Sequence, residues 1–562
     1  MKEILVESDG EQTRVALMED GQLAEIYIER SMHQRLVGNI YKGRVENVLP
    51  GMQAAFVNIG LEKNAFLYVG DAVPPKTMGD DGEPQTLDSQ LNIQDVLKEG
   101  QELLVQIMKE PTGSKGARIT TNITLPGRYL VLMPTVDYVG VSRRIELEGE
   151  RERLKSLAVG LKQPGMGLIV RTVAEGLQKE ELEQDVRGLV SLWKKVQSRA
   201  FNHGAPALIH RDLELVQRIV RDLFTEDLGR MTVDNRFVYE KLLEAMDFLA
   251  PGFKHKISLG ETGDLFGAYP IEQEIQRALK KKVWLKCGGY LVIEQTEALT
   301  VIDVNTGKYV GTTNLEDTVL NTNLEAAQEI ARQLRLRNIG GIIIIDFIDM
   351  VSPEHRSEVL EVLETSCRKD KTKTNILGLT QLGLVEMTRK KVRQSLESVM
   401  TRLCPYCEGA GRVFSEETVA LKVKEDIIQS AARSLAPGIL LEAHPLVASQ
   451  LIGSGGHVLQ ELEKRTGKQI LVRGVDSMHL ERYELKLLES QEQIKSASAT
   501  LVVGQVLELF VEEPHLIYPQ AGIARVNGLV VNIDDGGAYV GQKVTVEITK
   551  VQRTSAKARI KQ

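Results

Sequence analysis

A chain of 562 residues is too long for one hydrophobic core, and at about 100 to 200 residues per domain it should divide into roughly three to five. Its 42% hydrophobic and 26% charged residues are those of globular material, and no run of about eighteen apolar residues offers a membrane span. A net charge of −7 with a pI near 5.9 argues against a uniformly basic nucleic-acid binder, and four cysteines make no disulfide framework.

The N-terminal stretch "MKEILVESDGEQTRV" has neither the apolar core nor the cleavage site of a signal peptide, so the chain is expected in the cytoplasm. Residues 1–36 read as alternating strands, "EILVES", "TRVALME" and "LAEIYIER". From 37 to about 121 short strands are punctuated by Gly, Asn and Pro, which predicts a small barrel. Period-2 alternation puts Phe56 with Asn58 on one strand face and Phe66 with Tyr68 on another. Beside Lys109 and Lys115, such aromatics suit an OB-type single-strand binder, although two phenylalanines alone are also ordinary core filling. The insertion "DAVPPKTMGDDGEPQTLDSQ" reads as a mobile loop.

Residues 122–216 hold strands around "RYLVLMP", "YVGVSRR" and "GLIVRTVAEG", then two helical stretches. The α/β heart follows at 280–400, where strands "YLVIEQT", "ALTVIDVNTG" and "GIIIIDFIDM" flank the helix "NLEAAQEIARQLRLRN" in a βαβ unit. Basic runs such as "ALKKKVWLK" and "TRKKVRQ" gather here; they are an RNA footprint or solvated helix faces. A cysteine knuckle, a helical linker, an α/β piece from Leu435 to about Ser490 and a β-rich tail complete the chain.

In "TVIDVNTG" alternation aligns Val301, Asp303 and Asn305 on one face, and the run "GIIIID" delivers Asp346 to the end of a strand expected to be buried on both sides. Functional groups of open α/β sheets gather at C-terminal strand ends, so Asp303 and Asp346 could meet there. Two carboxylates and an amide oxygen are hard ligands suited to Mg²⁺, which polarises a phosphoryl oxygen and orients the leaving group. Capping of a following helix or turn is the equally open alternative, and Asp349 is expected to be such a cap. In "CPYCEGAGRV", Cys404 and Cys407 are half of a tetrahedral metal site or, less in keeping with the turn that follows, a redox pair; no second C-x-x-C completes them.

In combination and order, "GRVENVLPGMQAAFVNIG", "RTVAEG", "ALTVIDVNTG", "IIIIDFIDM", "GLTQLGLVEMTRKKVRQSL" and "CPYCEGAGRV" resemble the catalytic half of the ribonuclease E/G family over roughly residues 1–430. The resemblance implies a multidomain α/β protein. Its parts are a ribonuclease H-like domain (1–36 and 217–279), an inserted S1-type OB barrel (37–121), a 5′-sensor region (122–216), a DNase I-like catalytic domain (280–400) and a zinc-link (401–414). It implies a Mg²⁺-dependent endoribonuclease that cuts single-stranded RNA to 5′-phosphate and 3′-hydroxyl ends in RNA processing and decay. The catalytic residues would be Asp303, Asn305 and Asp346, with Mg²⁺ on Asp303 and Asp346. A 5′-monophosphate would be sensed by Arg171 and Thr172, with Gly127 and Val131 in support. Phe56, Phe66 and Lys115 would hold RNA, as would Lys373. Cys404 and Cys407 would share one structural Zn²⁺ with a second subunit, making a homodimer or a homotetramer.

Toward the C-terminus, 415–500 resembles a small KH-like domain whose GxxG loop, Gly453 to Gly456, is a candidate RNA-binding loop or a plain helix entry. Residues 501–562 resemble a TRAM-like OB module. The rival readings are a multi-module RNA-binding protein that does not cut, and a Mg²⁺-dependent phosphatase or nuclease acting on DNA. The Asp303, Asn305, Asp346 set speaks against the first, since a pure binder has no use for it.

Overall fold

The computed structural model describes residues 1–31, 35–73, 77–78, 84–86, 92–111, 115–260, 265–307, 315–498, 501–515, 518–526, 529–551 and 555–561. They form two compact units, Met1–Thr401 and Arg402–Gln562.

The first unit is built around four sheets. The N-terminal strands Lys2–Ser8, Gln12–Glu19 and Gln22–Arg30 form an antiparallel meander, and Lys2–Ser8 continues in parallel with Leu228–Val233 and then Ile257–Leu259. This five-stranded sheet is apolar on both faces. One packs on helices Leu215–Leu223 and Arg236–Leu249, the other on helix Ile271–Ala278 and on Leu336 and Leu396.

Between its third and fourth strands the chain makes a barrel. Strands Ile40–Leu49, Ala54–Asn58, Ala65–Tyr68, Arg118–Thr120 and Glu102–Lys109 pair in that order, and the last returns to the first, which closes the ring and removes its edges. Of the insertion "DAVPPKTMGDDGEPQTLDSQ", only 71–73 and the antiparallel pieces Thr77–Met78 and Pro84–Thr86 are described, and the rest lies outside the described residues.

A third, four-stranded sheet runs Leu125–Pro126, Leu130–Met133, Gly167–Val170, Val139–Val141, and packs on helices Glu148–Leu161 and Lys179–Asn202. The helix Glu148–Leu161 is absent from the sequence reading, because its two glycines and weak apolar pattern hide the period.

The fourth sheet has six strands, in the order Lys282–Trp284, Tyr290–Gln295, Leu299–Asn305, Gly341–Asp346, Val385–Arg389, Thr374–Leu379. Leu299–Asn305 and Gly341–Asp346 are parallel and joined by helix Leu315–Leu336, the βαβ unit expected. Ile293, Ile302, Ile343, Ile345 and Met387 bury one face against that helix and Pro353–Cys367. The other face is open, with Val301 36%, Ile342 51% and Trp284 56% exposed. Gly341–Asp346 is therefore buried on one side only, not on both; its isoleucines alternate between core and solvent.

In the second unit, strand Gly438–Ala443 lies between Gln469–Gly474, parallel, and Tyr483–Leu488, antiparallel. Helix Glu416–Arg433 is no linker: Val419, Val423 and Ile427 belong to the same core as the sheet. The tail forms a six-stranded sheet around Val511, Val531, Ile533 and Val546.

Candidate active site

The strand register brings the two carboxylates together. Asp303 pairs with Asp346 across the parallel strands, at their C-terminal ends and on the open face. Asn305, two residues on and on the same face, donates its amide N–H to Oδ2 of Asp303 at 2.8 Å. Burial pushes the Asp346 carboxyl up, and the charges of Asp303 and Asp349 push it in the same direction. Asp349 is no cap. The strand ends at Asp346, so alternation no longer governs Asp349, and the N-cap of the next helix is Ser352, whose hydroxyl accepts from Glu354 and His355 N–H.

The segment after Asp346 is held by a residue the sequence reading missed. Asn323, fully buried on helix Leu315–Leu336, donates to the Ile348 carbonyl at 2.8 Å and accepts from the Ile348 N–H at 3.1 Å. Inside a helical pattern this Asn looks like one more polar surface position. The donor set fits a hard divalent cation: two carboxylates and an amide on adjacent strand ends, with a mutual repulsion that a cation relieves.

Lys373 does not join them. It precedes Thr374, which aligns with Arg389 and through it with Gly341, at the opposite end of the sheet from Asp346. At about 3.3 Å per residue, that is some 17 Å along the strand.

Arg171 and Gly127 do meet. The Arg171 guanidinium donates to the Gly127 carbonyl at 2.7 Å and to Asp222 at 2.6 Å, and Thr172 shares a hydroxyl hydrogen bond with Ser142 at 3.0 Å. Burial raises the Asp222 carboxyl, but the hydrogen bonds and charges of Arg221 and Arg171 outweigh it and leave it below the usual range. Gly127 is required by close approach, since a Cβ there would lie 2.6 Å from both oxygens of Asp185. That carboxylate accepts from the Tyr129 and Leu130 N–H groups at 2.9 Å and so shapes the loop. Val131 lies in the adjoining strand opposite Pro126. Asp185, Asp222 and Ser142 come from separate elements, so no local motif announced them.

On the barrel, Phe56 and Phe66 are directly paired, with ring centroids 6.0 Å apart in an edge-on arrangement. Both are half-buried and lie outside the barrel core, which is filled by Ala55, Val57, Ala65 and Leu67. Lys115 is exposed just before Ala117, whose carbonyl accepts from the Phe66 N–H at 2.7 Å.

The family model described as Ribonuclease E/G family matches residues 124–392, which include the carboxylates, Asn305 and the Arg171 cluster. Ribonuclease G of Escherichia coli (strain K12) is 47% identical over 488 residues, covering 86% of this chain and 99% of that protein. The chain belongs to the ribonuclease E/G family. Within it, Ribonuclease G of Haemophilus influenzae is 45% identical over 488 residues, again 86% of this chain and 99% of that protein. Ribonuclease E of the same organism is 36% identical over 506 residues, which are 89% of this chain but 54% of that protein.

The remaining matches fall in the second unit. A TRAM domain model matches 501–561, in agreement with the reading of the tail. Residues 403–488 match a model described as RNase E/G, Thioredoxin-like domain, where the sequence reading had a KH-like module. Gly453 ends helix Pro445–Ile452 at φ 69°, and Gly456 opens helix His457–Thr466 at φ 80°. The helix-to-helix turn thus accounts for both glycines without a ligand.

Among the described residues no three His, Cys, Asp or Glu side chains are grouped to hold a metal, so no third such side chain completes a site with Cys404 and Cys407 within this chain. The backbone N–H groups of Cys407 and Tyr406 hold the Cys404 thiol below its usual range, with the Cys407 side chain adding to this. A thiol whose surroundings ease its ionisation is compatible with a Zn²⁺ ligand. Tyr406 fixes the knuckle by stacking on His479, with centroids 4.1 Å apart, and by accepting from the Leu480 N–H at 3.1 Å.

Proposed function

We propose that this chain cuts single-stranded RNA internally at the Asp303, Asn305, Asp346 site with Mg²⁺, leaving 5′-phosphate and 3′-hydroxyl ends, and that a 5′-monophosphate bound at Arg171 and Thr172 accelerates cutting. Membership of the ribonuclease E/G family makes the chain an endoribonuclease, a hydrolase of RNA processing and decay. The observation that carries the Mg²⁺-dependent cutting site is the register of Asp303 with Asp346 at adjacent parallel strand ends.

Asp303 and Asp346 would hold the ion, which when bound polarises the phosphoryl oxygen and offsets the charge that develops on it. Asn305 fixes the Asp303 carboxylate in one orientation through Oδ2. Asn323 holds the backbone after Asp346 and so limits how far that carboxylate can swing. The charges of Asp303 and Asp349 oppose ionisation of Asp346, a repulsion that a bound cation would offset.

At the 5′ end, Arg171 spends three of its five N–H donors on Asp222 and the Gly127 and Arg128 carbonyls, which orients the fork and leaves donors for a phosphate. Phe56 and Phe66 offer base-stacking surface and Lys115 a backbone contact. Lys373 could touch RNA only away from the carboxylates. Cys404 and Cys407 would share Zn²⁺ with the same pair of a second copy, in a homodimer or homotetramer.

A 5′-labelled single-stranded RNA, incubated with and without Mg²⁺ and run beside markers of known end chemistry, tests this reading. Internal products with 3′-hydroxyl ends that require Mg²⁺ are expected. Products with cyclic or 3′-phosphate ends would overturn it.

A further inference from the structure

Two rows of side chains cross the open face of the six-stranded sheet. In one, Lys282 pairs with Val292, Val292 with Asp303, and Asp303 with Asp346. In the other, Trp284 pairs with Tyr290, and Tyr290 with Asn305. Directly paired residues share a face, so the basic and aromatic residues of the edge strand stand on the same surface as the carboxylates. With strands about 4.8 Å apart, Tyr290 is one step from Asn305 and Trp284 two.

The three side chains form a small cluster. The rings of Trp284 and Tyr290 meet edge-on with centroids 5.3 Å apart, and the Lys282 ammonium sits 4.2 Å from the Trp284 ring centre and 3.5 Å from that of Tyr290. The cluster buries little of itself, for Trp284 is 56% exposed whereas the chain's other tryptophan, Trp193, is 5% exposed. A large aromatic held in water by a cation, two strands from Asn305, gives a flat stacking surface and a positive charge. A polyanion must come within reach of both to be cut.

We propose that Trp284 and Tyr290 are a stacking platform for a base of single-stranded RNA next to the phosphodiester being cut, with Lys282 facing the backbone phosphate. This rests on the assignment of Asp303, Asn305 and Asp346 as the cutting site. Stacking on aromatic side chains is tolerant of base identity, so the platform contributes affinity and placement rather than sequence choice.

With only two tryptophans in the chain, intrinsic fluorescence reads the platform without any cutting. The full-length protein is titrated with a single-stranded RNA oligonucleotide in Mg²⁺-free buffer. RNA is expected to change the emission of the wild type saturably and to leave that of Trp284→Phe, which keeps Trp193, unaltered. In steady-state cutting, Trp284→Ala should raise KM about tenfold and act on KM rather than kcat, with Trp284→Phe recovering most of the loss. An equal emission change in Trp284→Phe, or a wild-type KM in Trp284→Ala, overturns the platform. Cutting by Asp303→Asn, measured in parallel, judges the carboxylates by themselves: its loss stands whether or not the platform fails.

Discussion

At Asp346, burial and the charges of Asp303 and Asp349 all oppose ionisation, so the folded state raises this carboxyl above its unfolded value. The sign is that of a destabilising charge: at neutral pH the folded chain pays for an ionised Asp346, and the cost shrinks once pH falls below the raised folded value and is gone below the unfolded one. Asp346→Asn should therefore melt at or slightly above the wild type in metal-free buffer, and below it once Mg²⁺ stabilises the wild type. Differential scanning fluorimetry with and without Mg²⁺ checks both, and a variant that melts well below the wild type in both buffers would mean that Asp346 has a structural role. Acidification should likewise raise the Mg²⁺ needed for half-maximal cutting, because the proton competes with the ion at a carboxylate whose surroundings oppose its charge. Asp303, Asn305 and Asp346 were legible because strand alternation and strand ends are local. Asn323 and Trp284 were not, since a buried Asn looks like any helix polar residue and "KKKVWLK" reads first as a basic run.

Individual elements are tied by charges that no local pattern shows. Arg389, on strand Val385–Arg389, is 5% exposed, donates to Asp370 at 2.6 Å and to the Ile339 carbonyl at 2.7 Å, and so anchors the turn that leads into Gly341–Asp346. Removing one partner of a buried pair leaves the other uncompensated, so Arg389→Ala should cost about 3–5 kcal/mol, read from denaturant unfolding. A loss under 1 kcal/mol, the range of an exposed pair, would contradict that burial. At the Arg171 loop, Arg171→Ala should abolish faster cutting of 5′-monophosphorylated over 5′-hydroxyl RNA. Arg171→Lys should restore it only in part, because Lys lacks the planar fork. Equal rates on both substrates in the wild type would remove the sensor role. The strands of the barrel and the βαβ unit were readable from period and turn residues. The helix Glu148–Leu161 and the packed state of Glu416–Arg433 were not, because both depend on partners distant in sequence.

For the whole molecule, the Zn²⁺ proposed to be shared by Cys404 and Cys407 of two copies would set the assembly. Purified protein should contain about one Zn²⁺ per two chains, and Cys404→Ser or Cys407→Ser should lose the metal and shift the light-scattering mass downward. One zinc per chain, or a metal-bearing monomer, would place the missing ligands elsewhere. The C-x-x-C pair was visible in the sequence; the thioredoxin-like description of 403–488 was not, because a GxxG turn between helices looks alike in unrelated modules. Whether Asp303 and Asp346 act as one site is tested most directly by single-turnover cutting of a labelled single-stranded RNA by intact Asp303→Asn, with RNA binding measured on the same preparation. Cutting should fall by at least about a thousandfold while the RNA Kd stays within about threefold of wild type, because base and phosphate contacts lie elsewhere. Near wild-type cutting at limiting Mg²⁺ would contradict the assignment.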